Sequence, residues 1–299
     1  MNTSQLFRSV VTTGALVLAL AAARAASPAI SAVSKPAPAV PNSECIDCHE
    51  AEFKARKRGQ PKEWVGVRSE LFGKSAHGEV ACVECHTAIK EPEHPSKLPK
   101  VDCKSCHADA IAQFTGSIHG APRRDGKPAA TCATCHGDNI HELLPAKHLD
   151  SPVSKFNLLN TCAKCHEDEK QAAALGLKNH DAIRNFRDSI HGQGLYKMGL
   201  NVAPTCNDCH GVHDIRGRKD ADAHTSKQNL SATCTACHVG VEKTFAASVH
   251  GKALAKHDEK APVCTDCHSA HNIERPDSAH FKANSDQSCG RCHEDRLAN

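Results

Sequence analysis

The chain has 299 residues, a formal net charge of +3, and 18 cysteines against one tryptophan, one tyrosine and eight phenylalanines. Fewer than one residue in five is Leu, Ile, Val or Phe, too few for two ordinary hydrophobic cores. The near-neutral charge also lacks the electrostatic footprint of a nucleic-acid-binding protein, so something other than apolar side chains must fill the interior.

At the N-terminus, Arg8 precedes an uncharged stretch, Ser9 to Ala23, and Ala23-Arg24-Ala25 offers a small-residue cleavage site. This is the layout of a secretory signal peptide. Its apolar stretch of roughly 15 residues is short of the ~20 that span a bilayer. Residues 1–25 are therefore the expected leader, and the Ala/Pro/Ser-rich residues 26–42 the expected extended linker. Export directs the remainder to the periplasm, with outer-membrane association or an extracellular position as alternatives. No stable transmembrane segment is expected after cleavage.

From residue 45 onward every cysteine falls in a C-x-x-C pair followed at once by histidine. The nine copies are Cys45, Cys48 and His49; Cys82, Cys85 and His86; Cys103, Cys106 and His107; Cys132, Cys135 and His136; Cys162, Cys165 and His166; Cys206, Cys209 and His210; Cys234, Cys237 and His238; Cys264, Cys267 and His268; and Cys289, Cys292 and His293. C-x-x-C-H is the attachment motif of c-type haem. Two thiols add across the vinyl groups of one porphyrin, and the adjacent imidazole reaches the iron as proximal ligand. Zinc sites do not require a histidine directly after each second cysteine, and a redox C-x-x-C would explain one copy rather than nine. The reading is nine covalently attached haems.

A longer period surrounds these motifs. F-x-x-S-x-H-G recurs at residues 72–78, 114–120, 186–192 and 245–251, each time between a leading and a trailing haem motif. This gives two-haem units at 43–102, 103–161, 162–233 and 234–288, and a terminal haem segment at 289–299. Glu167 to Ser189 and Val241 to Ser248 are rich in helix-forming residues. The glycine after each S-x-H is expected to end its helix. No run alternates as a strand does. The expected fold is mainly α with extensive irregular loops, packed on haems.

For the second axial position, Met198 is the one methionine beyond the leader, so bis-histidine ligation is expected at most or all irons. Such haems have lower potentials than His/Met haems. Distal candidates fall into three sets. The S-x-H-G copies give His77, His119, His191 and His250. Positions just after trailing motifs give His141, His213 and His271. Positions ahead of leading motifs give His94, His224 and His280, with His148 less regularly placed. His180 and His257 fall outside these positions and are expected to be solvated. His213 and His271 lie three residues after a proximal histidine, too close to reach round their own haem, so they serve a neighbour or none. His119 and His250 lie 12 residues beyond the preceding proximal histidine, ~18 Å along a straight helix, which also favours a neighbour. The first unit departs from the rest, with no histidine close behind His86 before His94.

The combination of F-x-x-S-x-H-G with Pro204-Thr205-Cys206-Asn207-Asp208-Cys209-His210-Gly211-Val212-His213-Asp214-Ile215, repeated at 262–273 and more loosely at 130–141, resembles the multihaem c-type cytochromes of the doubled C-x-x-C-H type. The resemblance implies respiratory electron transfer through closely spaced haems, in anaerobic or extracellular respiration. It also implies redox partner proteins: a membrane quinol-oxidising complex as donor, and a terminal reductase, outer-membrane conduit or extracellular acceptor.

Two other classes stay open. A nitrite reductase or hydroxylamine oxidoreductase would keep one haem face open. However, no lysine replaces a motif histidine here, and Tyr196, the only tyrosine, lies outside any haem motif. A conductive filament would borrow a histidine between subunits, and the terminal haem at His293 is the place for it, unless His280 or His271 serves it within the chain. No catalytic residue is assigned.

Overall fold

The structure is a computed structural model, and it describes residues 40–55, 66–123, 125–177 and 181–293. The expected leader, most of the linker and His180 lie outside the described residues. The last linker positions do not run free. Val40 is buried, and the Asn42 side chain donates to the Val80 carbonyl at 3.1 Å while accepting from the Cys82 amide at 2.8 Å.

Among the described residues the architecture is sixteen short α-helices and one 3-10 turn, with no strand and one isolated bridge between Pro122 and Pro128. The longest helix is Asn42–Ala55. No described helix is long and apolar enough to cross a membrane. Glu167 to Ser189, read as one helical stretch, holds two helices, Glu169–Leu175 and Ala182–Asp188.

Each trailing haem motif forms a helix of a single turn: Cys82–Cys85, Cys132–His136, Cys206–His210 and Cys264–His268. The residue before the second cysteine helps start three of these turns. Asp208 and Asp266 each accept from the backbone amide three residues earlier at 2.7 Å, and Thr134 does so at 3.0 Å, satisfying a donor that a helix start leaves open. The residue after the motif histidine then stops the turn in the left-handed region, at Gly137, Gly211 and Ser269. Glycine accepts that conformation freely, whereas serine does so at a cost.

The F-x-x-S-x-H-G segment works differently from its sequence reading. The serine, not the glycine, is the junction. In the third and fourth units the preceding helix stops at Ser189 or Ser248. The same serine caps the next helix (Ile190–Tyr196 or Val249–Ala255) by accepting from Gly192 N or Gly251 N. Its hydroxyl donates to the Phe186 or Phe245 carbonyl at 2.6 Å. The glycine is required by space. A Cβ on Gly120, Gly192 or Gly251 would lie 2.0, 2.1 or 2.0 Å from the carbonyl oxygen of the phenylalanine six residues upstream.

Little apolar core accompanies this. One cluster gathers Leu230, Leu254, Ala261 and Val263, with Phe245 and Ala253 against it. Elsewhere side chains brace the loops directly. Asn157 donates to the Leu149 and Ser151 carbonyls, and Asn229 repeats the pattern on Ala221 and Ala223 one unit later.

Consecutive units are stitched by the backbone. Ala76 N–H donates to the Leu143 carbonyl at 2.7 Å, Ile118 to Ile215 at 2.9 Å, and Ile190 to Ile273 at 2.8 Å. In each case the donor precedes an S-x-H-G histidine, and the acceptor lies two residues after a post-motif histidine of the next unit. The first junction adds an ion pair, Arg68 Nε to Glu142 Oε1 at 2.6 Å.

Candidate haem sites

The stitches bring proximal and distal candidates face to face across unit boundaries. In one series the S-x-H-G histidine of a unit faces the next leading histidine. His77 faces His107 at 6.0 Å between ring centroids, His119 faces His166 at 6.1 Å, His191 faces His238 at 6.0 Å, and His250 faces His293 at 5.9 Å. In the other series a trailing histidine faces the post-motif histidine of the following unit. His86 faces His141 at 6.2 Å, His136 faces His213 at 6.1 Å, and His210 faces His271 at 5.9 Å. The first leading histidine, His49, faces His94 at 5.9 Å.

The constancy of these distances is informative. Two metal–imidazole bonds of about 2.0–2.1 Å, with each ring centre about 1 Å behind its nitrogen, put the centroids roughly 6 Å apart. The interplanar angles meanwhile run from 15° to 83°. Direct ring–ring attraction selects angle as well as distance. An atom shared between two rings fixes the distance and leaves rotation free, which is the pattern here.

Burial points the same way. It lowers the pKa of His86, His119, His136, His141, His166, His191, His210 and His271, keeping these imidazoles in the neutral form that donates a lone pair to metal. His86 and His141 each hold a buried Nδ1 without a hydrogen-bond partner. Beside the facing rings stand large, partly exposed apolar side chains: Ile118, Ile140, Val212, Val239 and Val249, exposed by 48–76%. Each is the immediate neighbour of a facing histidine, so a large flat apolar group would cover them. The residues fit haem. No three His, Cys, Asp or Glu side chains converge on a single metal-sized centre among the described residues, as a zinc site would require.

The thiols give the order of the array. Cys82 is pushed up to about 11 by burial and by Cys45 beside it. Cys85 lies within electrostatic reach of Cys106 and Cys103, Cys135 of Cys132 and Cys165, Cys209 of Cys237, and Cys267 of Cys289. Cys162 meets Cys206, and Cys234 meets Cys264, the first of each pair raised and the second lowered. Between the third and fourth motifs it is His107 that acts on His136. Neighbours in space are thus neighbours in sequence from the first motif to the ninth.

Three distal candidates stand beside a carboxylate. His148 lies 3.9 Å from Asp150, His224 Nε2 is 3.2 Å from Asp214, and His280 Nδ1 is 2.8 Å from Glu274. Opposite His268 stands Phe281, its ring parallel at 5.2 Å. Sequence reasoning did not single out that residue. No recurring motif of the sequence marks it.

Two curated proteins resemble the chain. Cytochrome c-552 of Haemophilus ducreyi is 25% identical over 177 residues, covering 46% of this chain and 35% of that protein. The C-type polyheme cytochrome OmcC of Geobacter sulfurreducens is 23% identical over 230 residues, covering 67% of this chain and 27% of that protein. The chain thus spans about a third or less of the length of these relatives. No family model and no solved structure matches. Both relatives are named as cytochromes, one of them as a C-type polyheme cytochrome.

Proposed function

We propose that the chain binds nine c-type haems, eight of them with two histidine ligands, and conducts electrons along its length. The observation that carries this reading is the two interleaved series of facing histidines at 5.9–6.2 Å, each joining a haem motif to another part of the chain. When bound, haem iron cycles between Fe(III) and Fe(II) and supplies the one-electron chemistry. The chain does the rest. Its thiols anchor the group, and its paired imidazoles hold the metal from both sides. Two fixed nitrogen ligands leave little to rearrange between oxidation states. The apolar residues beside them exclude water, and histidine rather than methionine in the second position favours low potential.

The sequence order of the motifs becomes the electron path, with Cys45 at one end and Cys289 at the other. In the cell the reading places the protein in the periplasm or at the outer surface, in anaerobic or extracellular respiration. A membrane quinol-oxidising complex is its donor, and a terminal reductase, an outer-membrane conduit or an extracellular compound its acceptor.

The test is a haem count by intact mass and pyridine haemochrome on the exported protein, with a reductive titration. Nine haems titrating over a broad low-potential range are expected. Bound zinc, or free thiols in the exported protein, would overturn the reading.

A further inference from the structure

The single tyrosine of the chain stands where two haem motifs meet. Tyr196 closes the helix Ile190–Tyr196, next to Leu195, which is 1% exposed. Its hydroxyl oxygen is buried and has no hydrogen-bond partner among the described residues. Burial, together with Cys206 and Cys162 nearby, pushes its pKa up to about 12, so the group keeps its proton and stays a donor. A buried donor without an acceptor is costly, and native chains keep one where something else completes the bond.

The surroundings narrow what that is. The Leu159 backbone acts on the hydroxyl as a donor, and Arg187 acts as a cation. Arg187 is itself taken up by Glu167, at 3.0 and 3.1 Å. Neither group accepts a proton. The other groups that act on the hydroxyl are the sulfurs of Cys162 and Cys206, the first cysteines of the fifth and sixth haem motifs. The fourth unit shows that packing alone does not call for a hydroxyl here. Gly192, Leu195 and Tyr196 correspond to Gly251, Leu254 and Ala255, and Leu254 is buried as Leu195 is. Cys234 meets Cys264 just as Cys162 meets Cys206, with alanine in the place of the tyrosine. The hydroxyl is an addition to the third unit rather than a part of the repeat.

Resting on the haem reading above, we propose that Tyr196 donates a hydrogen bond to the haem pair anchored through Cys162 and Cys206, at a thioether sulfur or a haem carboxylate, and so raises the potential of the haem it touches. Either acceptor gives up electron density to the hydroxyl proton, which favours reduced iron. The electron path is then uneven, and electrons reside preferentially at the fifth and sixth haems.

The test is a redox titration of the full haem-loaded chain. Tyr196→Phe keeps the ring and removes the hydroxyl. It is expected to lower the reduction equilibrium of one haem on the order of fivefold, the net worth of one hydrogen bond, with the other haems and the low-spin spectrum unchanged. Because the chain has one tyrosine, growth on 3-fluorotyrosine alters this position alone. The more acidic fluorinated hydroxyl is a stronger donor and is expected to shift the same haem the opposite way. An effect of Tyr196→Phe that vanishes at acidic pH identifies a haem carboxylate as the acceptor, and one that persists identifies a thioether sulfur. Potentials unchanged in Tyr196→Phe would overturn the proposal. So would shifts spread over all the haems, or shifts of the same sign in both replacements, which packing alone would produce. Fewer than nine haems, with Cys162 and Cys206 still free thiols, would instead refute the reading on which the proposal rests.

Discussion

The backbone amide of Ile118 donates to the carbonyl of Ile215 at 2.9 Å, across nearly a hundred residues of chain. One residue after the donor is His119, facing His166. Two residues before the acceptor is His213, facing His136. A single hydrogen bond thus lies beside two facing pairs, which under the proposed reading belong to two different haems.

The equivalent bond from Ile190 to Ile273 can be removed without disturbing its helix. Ile190 is the first residue of Ile190–Tyr196, and Ser189 ahead of it is extended (φ −67°, ψ 163°), so proline is compatible with both positions. Ile190→Pro is expected to cost about 1 kcal/mol more than Ile190→Ala, the net worth of one hydrogen bond. Denaturant unfolding followed at the Soret band measures this. Loss of low-spin character should appear first at the His210–His271 site.

The steric role of the S-x-H-G glycine gives a paired test. Gly251→Ala would drive its Cβ to 2.0 Å from the Phe245 carbonyl, and overpacking against fixed backbone costs about 1–3 kcal/mol. Gly240→Ala, in the helix Val239–Ala247 and with open space around its Cβ, is expected to stabilise by about 0.5–1 kcal/mol. A thermal melt in which both variants lose stability equally would contradict the assignment.

The His86–His141 pair isolates one axial ligand. His141→Ala is expected to convert one low-spin haem to high-spin, with the other haems unchanged. His141→Met is expected to raise one midpoint potential, on the order of 0.1 V within the ~0.8 V span that axial ligands cover. Spectropotentiometry reads both. A change spread over all the haems would argue against one-to-one pairing.

One junction serine is a buried cap. Ser189, 1% exposed, accepts from Gly192 N and donates to the Phe186 carbonyl. Ser189→Ala is expected to cost about 1–2 kcal/mol, and Ser189→Thr less. Their order of unfolding midpoints checks the role.

The residues of the candidate site were legible in the sequence, because the C-x-x-C-H motifs keep a fixed spacing and the recurring histidines stand out in register with them. His213 and His271, too near their own motifs, were read from distance alone as serving a neighbour or none, and they face His136 and His210. The identity of each neighbour was not readable, since it depends on backbone bonds such as Ala76 to Leu143 that any pair of residues could make. His94 and His280 lie at the same nine-residue spacing ahead of a leading motif. One faces His49 and the other meets Glu274, a difference made by surroundings rather than spacing. The glycine of S-x-H-G was misread as a helix end because the carbonyl that excludes a Cβ lies six residues upstream, hidden from any local rule.

The two series of facing histidines also run in opposite temporal senses. A leading site such as His166 finds its partner, His119, in chain already made, whereas a trailing site such as His136 must wait for His213. If, as proposed, these pairs are axial ligands and the chain is exported N-terminus first, each trailing site from His86 to His210 would stay half-ligated until the following unit arrives. Maturation would then proceed as a travelling front, with one reactive, incompletely coordinated centre always just behind the newest segment. A pause in export would hold that centre exposed to oxidants for as long as the pause lasts.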